Sequence, residues 1–152
     1  MSEPATIRLL GPSDARVLES VAPDVFDGPI DPRWSAAFLA DSRHHLAAAV
    51  LDGLVIGMAS AVHYVHPDKP PELWINEVGV AETQRGRGIG RRLLAALFAH
   101  GASLGCREAW VLTAPDNSAA HRLYAAAGGE AESVTYVTFT LPSSQAKRQA
   151  SE

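Results

Sequence analysis

The stretch Val78–Leu94, VGVAETQRGRGIGRRLL, holds the residue types best suited to binding a charged ligand. Gly86, Gly88 and Gly90 let the backbone approach a ligand closely and present N–H groups to it. The helix predicted to follow adds unpaired donors and the positive end of its dipole. Four nearby arginines add positive charge: Arg85, Arg87, Arg91 and Arg92. The stretch predicts an anion site suited to a di- or triphosphate group.

The same glycines would also occur in an ordinary glycine-rich turn, so the surrounding pattern decides between the two interpretations. The loop lacks the Gly-Lys-Ser/Thr of a P-loop. It also lacks the acidic residue about 20 positions further on that marks a dinucleotide-binding fingerprint. A strand pattern before the loop and a strongly amphipathic helix pattern after it favour anion binding over a plain turn.

Glu77 lies immediately before this stretch, within the apolar strand pattern LWINEVGV. Strict alternation would put its side chain on the same face as Ile75 and Gly79, opposite Trp74. A half-buried carboxylate there would have a raised pKa and could act as a general base. A solvent-facing residue on an antiparallel sheet fits the sequence equally well.

Other chemically capable residues are less informative. Tyr124 lies on the last predicted helix, where most tyrosines are core residues with a satisfied hydroxyl group, and a catalytic role stays open. The histidine pairs, His44 with His45 and His63 with His66, diverge on strands. With Cys106 as the single cysteine, the sequence predicts no metal site.

Composition bounds the class of protein. The 152 residues fit one domain, with 47% hydrophobic and 20% charged residues. A net charge of −4 gives no electrostatic support for nucleic-acid binding. The single cysteine fits a reducing compartment, and we see no signal peptide and no apolar run of membrane-spanning length. We therefore expect a cytoplasmic protein without nucleic-acid or membrane partners.

The hydrophobic pattern predicts an α+β chain in the order β-α-α-β-β-β-α-β-α-β. Residues 1–141 form one domain in this interpretation, and residues 142–152 form a polar C-terminal tail. Asp52-Gly53 between two apolar runs predicts a hairpin. The predicted strands are Thr6–Leu10, His45–Leu51, Leu54–Val65, Leu73–Val80, Glu108–Thr113 and Val134–Leu141. The predicted helices are one capped by Ser13, one from about Pro32 to Asp41, one following the glycine loop, and Ser118–Ala127.

These motifs together resemble the GCN5-related N-acetyltransferase (GNAT) superfamily, from about Ile7 to Leu141. The resemblance implies a mixed, mostly antiparallel central sheet with helices on both faces. The last helix in that family usually ends in Gly-Phe, whereas this chain has Gly128-Gly129. The residues that carry the resemblance are Glu77-Val78-Gly79-Val80, Arg85-x-x-Gly88-x-Gly90, and Asn117-x(6)-Tyr124 followed by Ala-Ala-Ala-Gly-Gly.

The resemblance implies acetyl-CoA as the acetyl donor. Its pantetheine arm would lie along the main chain of Val78, Gly79 and Val80, where strands four and five of the family splay apart. Asn117 would contact the same arm. The pyrophosphate would lie beside Arg85 and on the backbone N–H groups of Gly86, Arg87, Gly88, Ile89, Gly90 and Arg91.

Catalysis in this interpretation needs few groups. Glu77 would take a proton from the attacking amine, directly or through water. The N–H of Val78 would stabilise the tetrahedral intermediate. Tyr124 would lie near the thioester sulfur and protonate the leaving thiolate, as the family resemblance implies.

Within the superfamily the chain looks similar to type I aminoglycoside 3-N-acetyltransferases. The shared features are the proline-containing loop His66–Glu72, the acid at Glu77, and the acidic segment with Glu130 and Glu132 before the last strand. An acidic first third suits a polycationic substrate. Another small amine, a protein amine, and a non-catalytic acyl-CoA-binding role remain alternatives. A homodimer through the final strands is compatible with the sequence.

Overall fold

The computed structural model describes residues 4–143 and contains a five-stranded sheet in the order β1-β2-β3-β4-β5. The first four strands pair antiparallel, and β5 pairs parallel to β4. The strands are β1 (Thr6–Leu10), β2 (His44–Leu51), β3 (Leu54–Tyr64), β4 (Glu72–Val80) and β5 (Ala109–Val111). The expected α+β class, with a mixed and mostly antiparallel sheet, is confirmed.

Three α-helices accompany the sheet: α1 (Pro32–Ala40), α2 (Ile89–Ser103) and α3 (Ser118–Ala126). Two short 3-10 helices, Ala15–Glu19 and Glu82–Gln84, complete the regular structure of the described residues. The start of α1 follows from its sequence, because the Asp31 side chain accepts the N–H of Arg33 and Pro32 needs no hydrogen-bond partner in the first turn.

The core forms where α2 packs on the sheet. Its apolar stripe includes Leu93, Leu94 and Leu97, each at most 1% exposed. Burying each such side chain contributes about 1.5–3 kcal/mol. The facing strands carry small residues, and a Cβ on Gly57 would meet Ile89 of α2 at 3.1 Å. Small residues therefore bring α2 close to β3.

The other face of the sheet is covered by α1 and the segment before it. The ring of Phe38 in α1 lies 5.0 Å from the ring of His44, at an interplanar angle of 48°. His44 pairs with Val62, whose side chain points away from the α2 face because it alternates with Ala61 and His63. The predicted arrangement of helices on both faces is thus confirmed.

The hairpin between β2 and β3 turns where the sequence predicted it. Asp52 and Gly53 have positive φ angles of 51° and 77°. Two consecutive left-handed residues define the turn type that matches the twist of paired strands.

The prediction of a helix capped by Ser13 is wrong in both the length of the helix and the identity of the cap residue. Only the 3-10 helix Ala15–Glu19 forms, and its cap residue is Asp14 rather than Ser13. The residues after this helix hydrogen-bond to β3 instead. The N–H of Val55 donates to the Ser20 carbonyl, and the Val55 carbonyl accepts the N–H of Ala22, both at 2.9 Å. These tertiary hydrogen bonds override the local helical pattern.

The prediction of a final strand at Val134–Leu141 is also wrong within this single chain. Residues 130–142, here called the C-terminal arm, contain no strand and make no backbone hydrogen bond with another described residue. Phe139 is 83% exposed. A strand needs a neighbour to pair with, and within residues 4–143 the arm has none. Most of the predicted tail, 144–152, lies outside the described residues.

Candidate active site

Strands β4 and β5 separate after a short paired region. They pair only over Leu73–Ile75 and Ala109–Val111. From Asn76 to Val80, β4 continues with β3 as its only strand partner. One edge of this backbone is therefore open to a ligand, and it includes Val78, Gly79 and Val80, the residues predicted to lie along a pantetheine arm.

A bulge in β4 changes which face Glu77 occupies. Ile75 pairs with Ala61 and Glu77 pairs with Ser60, so Asn76 is an extra residue in β4. The extra residue shifts the side-chain alternation by one position. The expectation that Glu77 shares a face with Ile75 is therefore wrong. Glu77 shares its face with Trp74, away from α2.

The Glu77 carboxylate lies beside the acidic segment that precedes α1. Partial burial of the carboxylate raises the pKa of Glu77, and the negative charge of Asp27 raises this pKa further. Both causes disfavour the ionised form, because burial removes water from the charge and Asp27 repels it. The pKa of Glu77 therefore lies above the ordinary value of a glutamate.

The glycine loop leads from β4 to an open helix start. Gly86 and Gly88 have left-handed φ angles of 77° and 78°, which explains the glycine at each position. Gly88 caps α2 without a side chain, and the first intrahelical bond runs from Arg92 N to Gly88 O at 3.2 Å. The N–H groups ahead of that bond have no helical partner and suit an anion. They belong to Ile89, Gly90 and Arg91.

The third glycine of the loop has a packing role as well. A Cβ on Gly90 would meet the Leu123 side chain at 3.1 Å. Gly90 therefore lets α2 and α3 approach each other, while its N–H still faces the loop. The predicted cofactor contact of Gly90 rests on its backbone alone.

The arginines around the loop are not equivalent. Arg85 Nε donates to the Val80 carbonyl at 3.1 Å, so it occupies one acceptor of the open β4 edge. Arg87 donates to the Gln84 side chain at 3.4 Å. Arg92 Nη2 donates to the Ala5 carbonyl at 2.7 Å and thereby ties α2 to the chain ahead of β1. Arg91 is exposed at the helix start.

Asn117 and Tyr124 are positioned by α3. The Asn117 Oδ1 atom caps α3 by accepting the N–H of Ala120 at 3.1 Å, which leaves its amide N–H₂ as a donor. Tyr124 is half-buried, and this burial raises the pKa of its hydroxyl group. Tyr124 lines a groove of about 750 Å³ together with Ile75 and Trp110. Glu77 does not line that groove.

A second cavity, of about 630 Å³, lies within the acidic first third. Three acids of this region pair with arginines: Asp14 with Arg8, Asp31 with Arg33, and Asp41 with Arg43, at 2.9–3.1 Å. Glu19 and Asp24, which line the cavity, have no ion pair among residues 4–143. Unpaired negative charge is therefore concentrated here. We name this space the acidic cavity.

Sequence reasoning missed a chain of three histidines centred on the buried ring of His45. His45 Nε2 lies 2.7 Å from His63 Nδ1, and His45 Nδ1 lies 3.1 Å from His100 Nε2. Both nitrogens of His45 are thus occupied by other rings. Among residues 4–143 no group of three or more His, Cys, Asp or Glu side chains is arranged to hold a metal ion. Only the pairing of β2, β3 and α2 brings these rings together.

The model of the acetyltransferase (GNAT) family matches residues 15–128, which include β4, the glycine loop and α3. The chain belongs to the acetyltransferase (GNAT) family. It is therefore an acyltransferase of the N-acetyltransferase type. The expected superfamily is confirmed, and the open β4 edge and the glycine loop lie within the matched residues.

Relatives in this family act on different acceptors. The N-alpha-acetyltransferase RimI of Mycobacterium tuberculosis is 34% identical over 132 residues, covering 84% of this chain and 79% of the relative. The aminoglycoside N(6')-acetyltransferase type 1 of Salmonella typhimurium is 34% identical over 105 residues, covering 62% and 72% respectively. A solved structure of the aminoglycoside N-acetyltransferase AAC(6')-Iy in complex with CoA superimposes with a TM-score of 0.72 at 25% identity, covering 93% and 97%.

The structure also bears on the membrane question. Within residues 4–143 no helix has both the length and the apolar character that a membrane span requires.

Proposed function

We propose that this GNAT protein transfers the acetyl group of acetyl-CoA to a primary amine of a small cationic acceptor, with aminoglycosides first among the candidates. The observation that carries the proposal is the continuous path from the open β4 edge to the start of α2. Strand backbone can pair with the amides of a pantetheine arm. The helix start, with Arg91 and Arg87 beside it, suits the pyrophosphate.

Acetyl-CoA binding requires an adjustment at Val80. The pantetheine arm would lie along Val78, Gly79 and Val80, but Arg85 Nε already donates to the Val80 carbonyl. An incoming pantetheine N–H therefore replaces Arg85 at that oxygen and leaves the guanidinium group next to the pyrophosphate. The free amide N–H₂ of Asn117 would contact the same arm.

The proposed reaction needs one base, one oxyanion donor and one acid. Glu77 takes a proton from the ammonium group of the acceptor, the neutral amine nitrogen then forms a bond to the thioester carbon, and the second proton of that nitrogen passes to solvent as the amide forms. The N–H of Val78 stabilises the negative oxygen of the intermediate. When the C–S bond breaks, the thiolate receives the proton of the Tyr124 hydroxyl group, which solvent later replaces. The raised pKa of Tyr124 keeps that proton in place near neutral pH.

The positions of Glu77 and Tyr124 support this division of roles. The bulge puts Glu77 on the face that carries the segment before α1, whereas Tyr124 lies in the groove beside β5. The gap between β4 and β5 is where the two sides meet. The thioester would lie in this gap, with the amine arriving from the Glu77 side.

Charge on the acceptor side favours a cation. Glu19, Asp24 and Asp27 lack ion-pair partners among residues 4–143, and Glu19 and Asp24 line the acidic cavity. Unpaired carboxylates attract and orient polyamines. The sequence likeness favours the 3-amino group of an aminoglycoside, whereas the similar Salmonella enzyme is an N(6')-acetyltransferase. Product mapping must decide between the two positions.

The N-terminal amine of a protein is the second candidate acceptor. It is favoured by the likeness to the N-alpha-acetyltransferase RimI, which covers 84% of this chain. A peptide would need to enter the same gap with its α-amino group next to Glu77. This alternative shares the donor and the catalytic residues with the first.

The deciding experiment measures CoA release with a panel of acceptors under saturating acetyl-CoA. The panel contains aminoglycosides with and without the 3- and 6'-amino groups, polyamines, and peptides with free N-termini. We expect the highest kcat/KM with an aminoglycoside. Peptides that exceed every small amine would support the second candidate. Acetyl-CoA binding by calorimetry without turnover on any amine would refute both and leave an acyl-CoA-binding module.

A further inference from the structure

Two stacked tryptophans lie on the face of the sheet that carries Glu77. Trp74 of β4 is in register with Trp110 of β5, and their ring centroids are 4.9 Å apart at an interplanar angle of 11°. Leu73 packs against α2, where a Cβ on Gly101 would meet its side chain at 2.9 Å. Because successive residues of a strand point to opposite faces, Trp74 points away from α2. We name Trp74 and Trp110 the tryptophan pair.

A set of polar contacts fixes the orientation of the tryptophan pair. The Nε1–H group of Trp110 donates to the Tyr64 hydroxyl oxygen at 2.8 Å. The Tyr64 ring lies 5.0 Å from the ring of His66, whose Nε2 atom is 2.9 Å from an oxygen of Glu72. These contacts hold the Trp110 ring and thereby the Trp74 ring stacked on it. A ring that is already ordered loses little conformational freedom when a ligand binds.

Trp74 still has surface that a ligand can contact. The residue is 37% exposed, and among residues 4–143 no ring other than Trp110 stacks on it. The stack covers one face of the Trp74 ring, so the exposed surface belongs to the opposite face and the ring edge. A single exposed aromatic residue is common on protein surfaces and is by itself no evidence of a site. The position of Trp74 relative to Glu77 is therefore the decisive observation.

Trp74 and Glu77 are neighbours on one face of β4, at the point where the gap between β4 and β5 begins. The two strands stop pairing at Ile75, the residue after Trp74. The bulge gives Trp74 and Glu77 the partners Val62 and Ser60 on β3, which are two positions apart. Two positions along a strand correspond to about 7 Å. A molecule that presents an amine to Glu77 can therefore extend over the Trp74 ring.

The charges beside Trp74 favour a cation as its ligand. Neither Glu77 nor Asp27 has an ion pair in the described part of the chain. The face of an indole ring carries negative electrostatic potential and attracts ammonium groups, more strongly than the rings of tyrosine or phenylalanine do. An ammonium group on Trp74 would thus be attracted by the ring and by the nearby carboxylates, whereas an alkyl group would gain only buried area.

We propose that Trp74 binds a second ammonium group of the acceptor through a cation–π contact while the reacting amine lies at Glu77. The site then selects diamines and polyamines whose two nitrogens are about 7 Å apart. This inference rests on the proposed function, because the acceptor must reach Glu77. Aminoglycosides carry several ammonium groups and meet the requirement. A peptide whose N-terminal amine is its only cation does not.

The first test compares putrescine with pentylamine, in which a methyl group replaces the second ammonium group. Wild-type protein should show the higher kcat/KM with putrescine. Trp74→Leu keeps an apolar side chain but removes the π face, so the putrescine-to-pentylamine ratio of kcat/KM should fall about 2- to 30-fold, mainly through the KM for putrescine. Trp74→Phe keeps an aromatic face and should retain most of the ratio. Phe139→Leu, on an exposed residue of the C-terminal arm that lines neither cavity, is the matched control and should keep the wild-type ratio.

The second test needs no turnover. Calorimetry measures the binding of putrescine to the CoA complex of each variant, and Trp74→Leu should weaken it by a similar factor while CoA affinity is unchanged. Circular dichroism checks the fold, and Trp74→Met replaces Trp74→Leu if that variant does not fold.

The two tests separate the ammonium site from the proposed function. If no amine is acetylated but Trp74→Leu still weakens putrescine binding, the proposed function fails and the ammonium site at Trp74 is supported. A Trp74→Leu variant that lowers kcat/KM equally for putrescine and pentylamine would show a structural role only and overturn the inference. Unchanged putrescine binding and an unchanged ratio in Trp74→Leu would overturn it as well.

Discussion

Gly79 of β4 packs directly against the main chain of Val25, so closely that a Cβ at Gly79 would overlap the Val25 carbonyl oxygen. Gly79 lies two residues beyond Glu77 on the same face of β4. The contact sets the position of the segment that carries Asp27. Because Gly79 has no side chain, the segment on the proposed acceptor side can contact the strand that would hold the cofactor.

Gly79→Ala should therefore impair both stability and activity. The added methyl group must displace Val25 or bend β4, which costs about 1–3 kcal/mol for overpacking. We expect a lower free energy of unfolding in urea and a reduced kcat/KM for the acceptor. Gly11→Ala is a suitable control, because a Cβ there meets only Asp14 at an ordinary 3.8 Å. Equal stability of the two variants would contradict the packing argument.

Asp27→Asn should shift the acid limb of the pH–rate profile. The charge of Asp27 contributes to the raised pKa of Glu77, so its removal lowers that pKa. A base works when it is deprotonated, and activity should then persist to lower pH in the variant. Glu77→Gln should lower kcat about 100-fold or more while acetyl-CoA affinity is retained. An unchanged profile in Asp27→Asn together with normal turnover in Glu77→Gln would reject Glu77 as the base.

Tyr124→Phe should lower kcat without weakening the binding of acetyl-CoA. The change removes only the hydroxyl group that would protonate the thiolate, and a lost general acid costs about 100-fold in rate. Steady-state kinetics and calorimetry with CoA measure the two effects separately. Wild-type kcat in this variant would assign Tyr124 to packing of the groove alone.

Two substitutions at Asn117 separate its two roles. Asn117→Ala removes the cap of α3 and should destabilise the protein by about 1 kcal/mol. Asn117→Asp keeps an oxygen that can accept the Ala120 N–H but loses the amide donor. We expect Asn117→Asp to retain stability and raise the KM for acetyl-CoA. An unchanged KM in Asn117→Asp would show that Asn117 serves only as a cap.

The histidine chain centred on the buried His45 should make the protein sensitive to acid. Burial lowers the pKa of His45 from 6.5 to about 4, helped by the charges that His100, His63 and His44 would carry when protonated. The unfolded chain therefore binds a proton before the folded chain does. Stability is fully present above about pH 6.5 and is lost as the pH falls toward 4, by up to about 3 kcal/mol.

His45→Gln tests this origin, because glutamine can hydrogen-bond but cannot be protonated in this range. We expect urea denaturation of the variant to show a flatter dependence of unfolding free energy on pH between 6.5 and 4 than the wild type shows. His121→Gln, on exposed α3, should keep the wild-type slope. If the unfolding free energy of His45→Gln depends on pH as steeply as that of the wild type, the acid sensitivity arises from groups other than His45.

Local signals were sufficient for much of the fold. The apolar stripe of α2, the Asp52-Gly53 turn and the Pro32 helix start each depend on residues close together in the chain. The helix Ala15–Glu19 was predicted too long, because the hydrogen bonds of Ser20 and Ala22 to Val55 join residues about 33–35 positions apart, a pairing that no local pattern encodes.

By itself, the sequence determined the order of the elements from α1 to α3, the glycine loop that begins α2, and the residue types at positions 77, 117 and 124. Only the tertiary structure decided which way Glu77 faces, because the Asn76 bulge is a property of the pairing between β3 and β4. It likewise decided that β4 and β5 part after Ile75 and that the arm lacks a partner in its own chain. Side-chain periodicity is a local property and can be recognised from consecutive residues. Strand pairing joins segments that are distant in the chain, so consecutive residues do not reveal it.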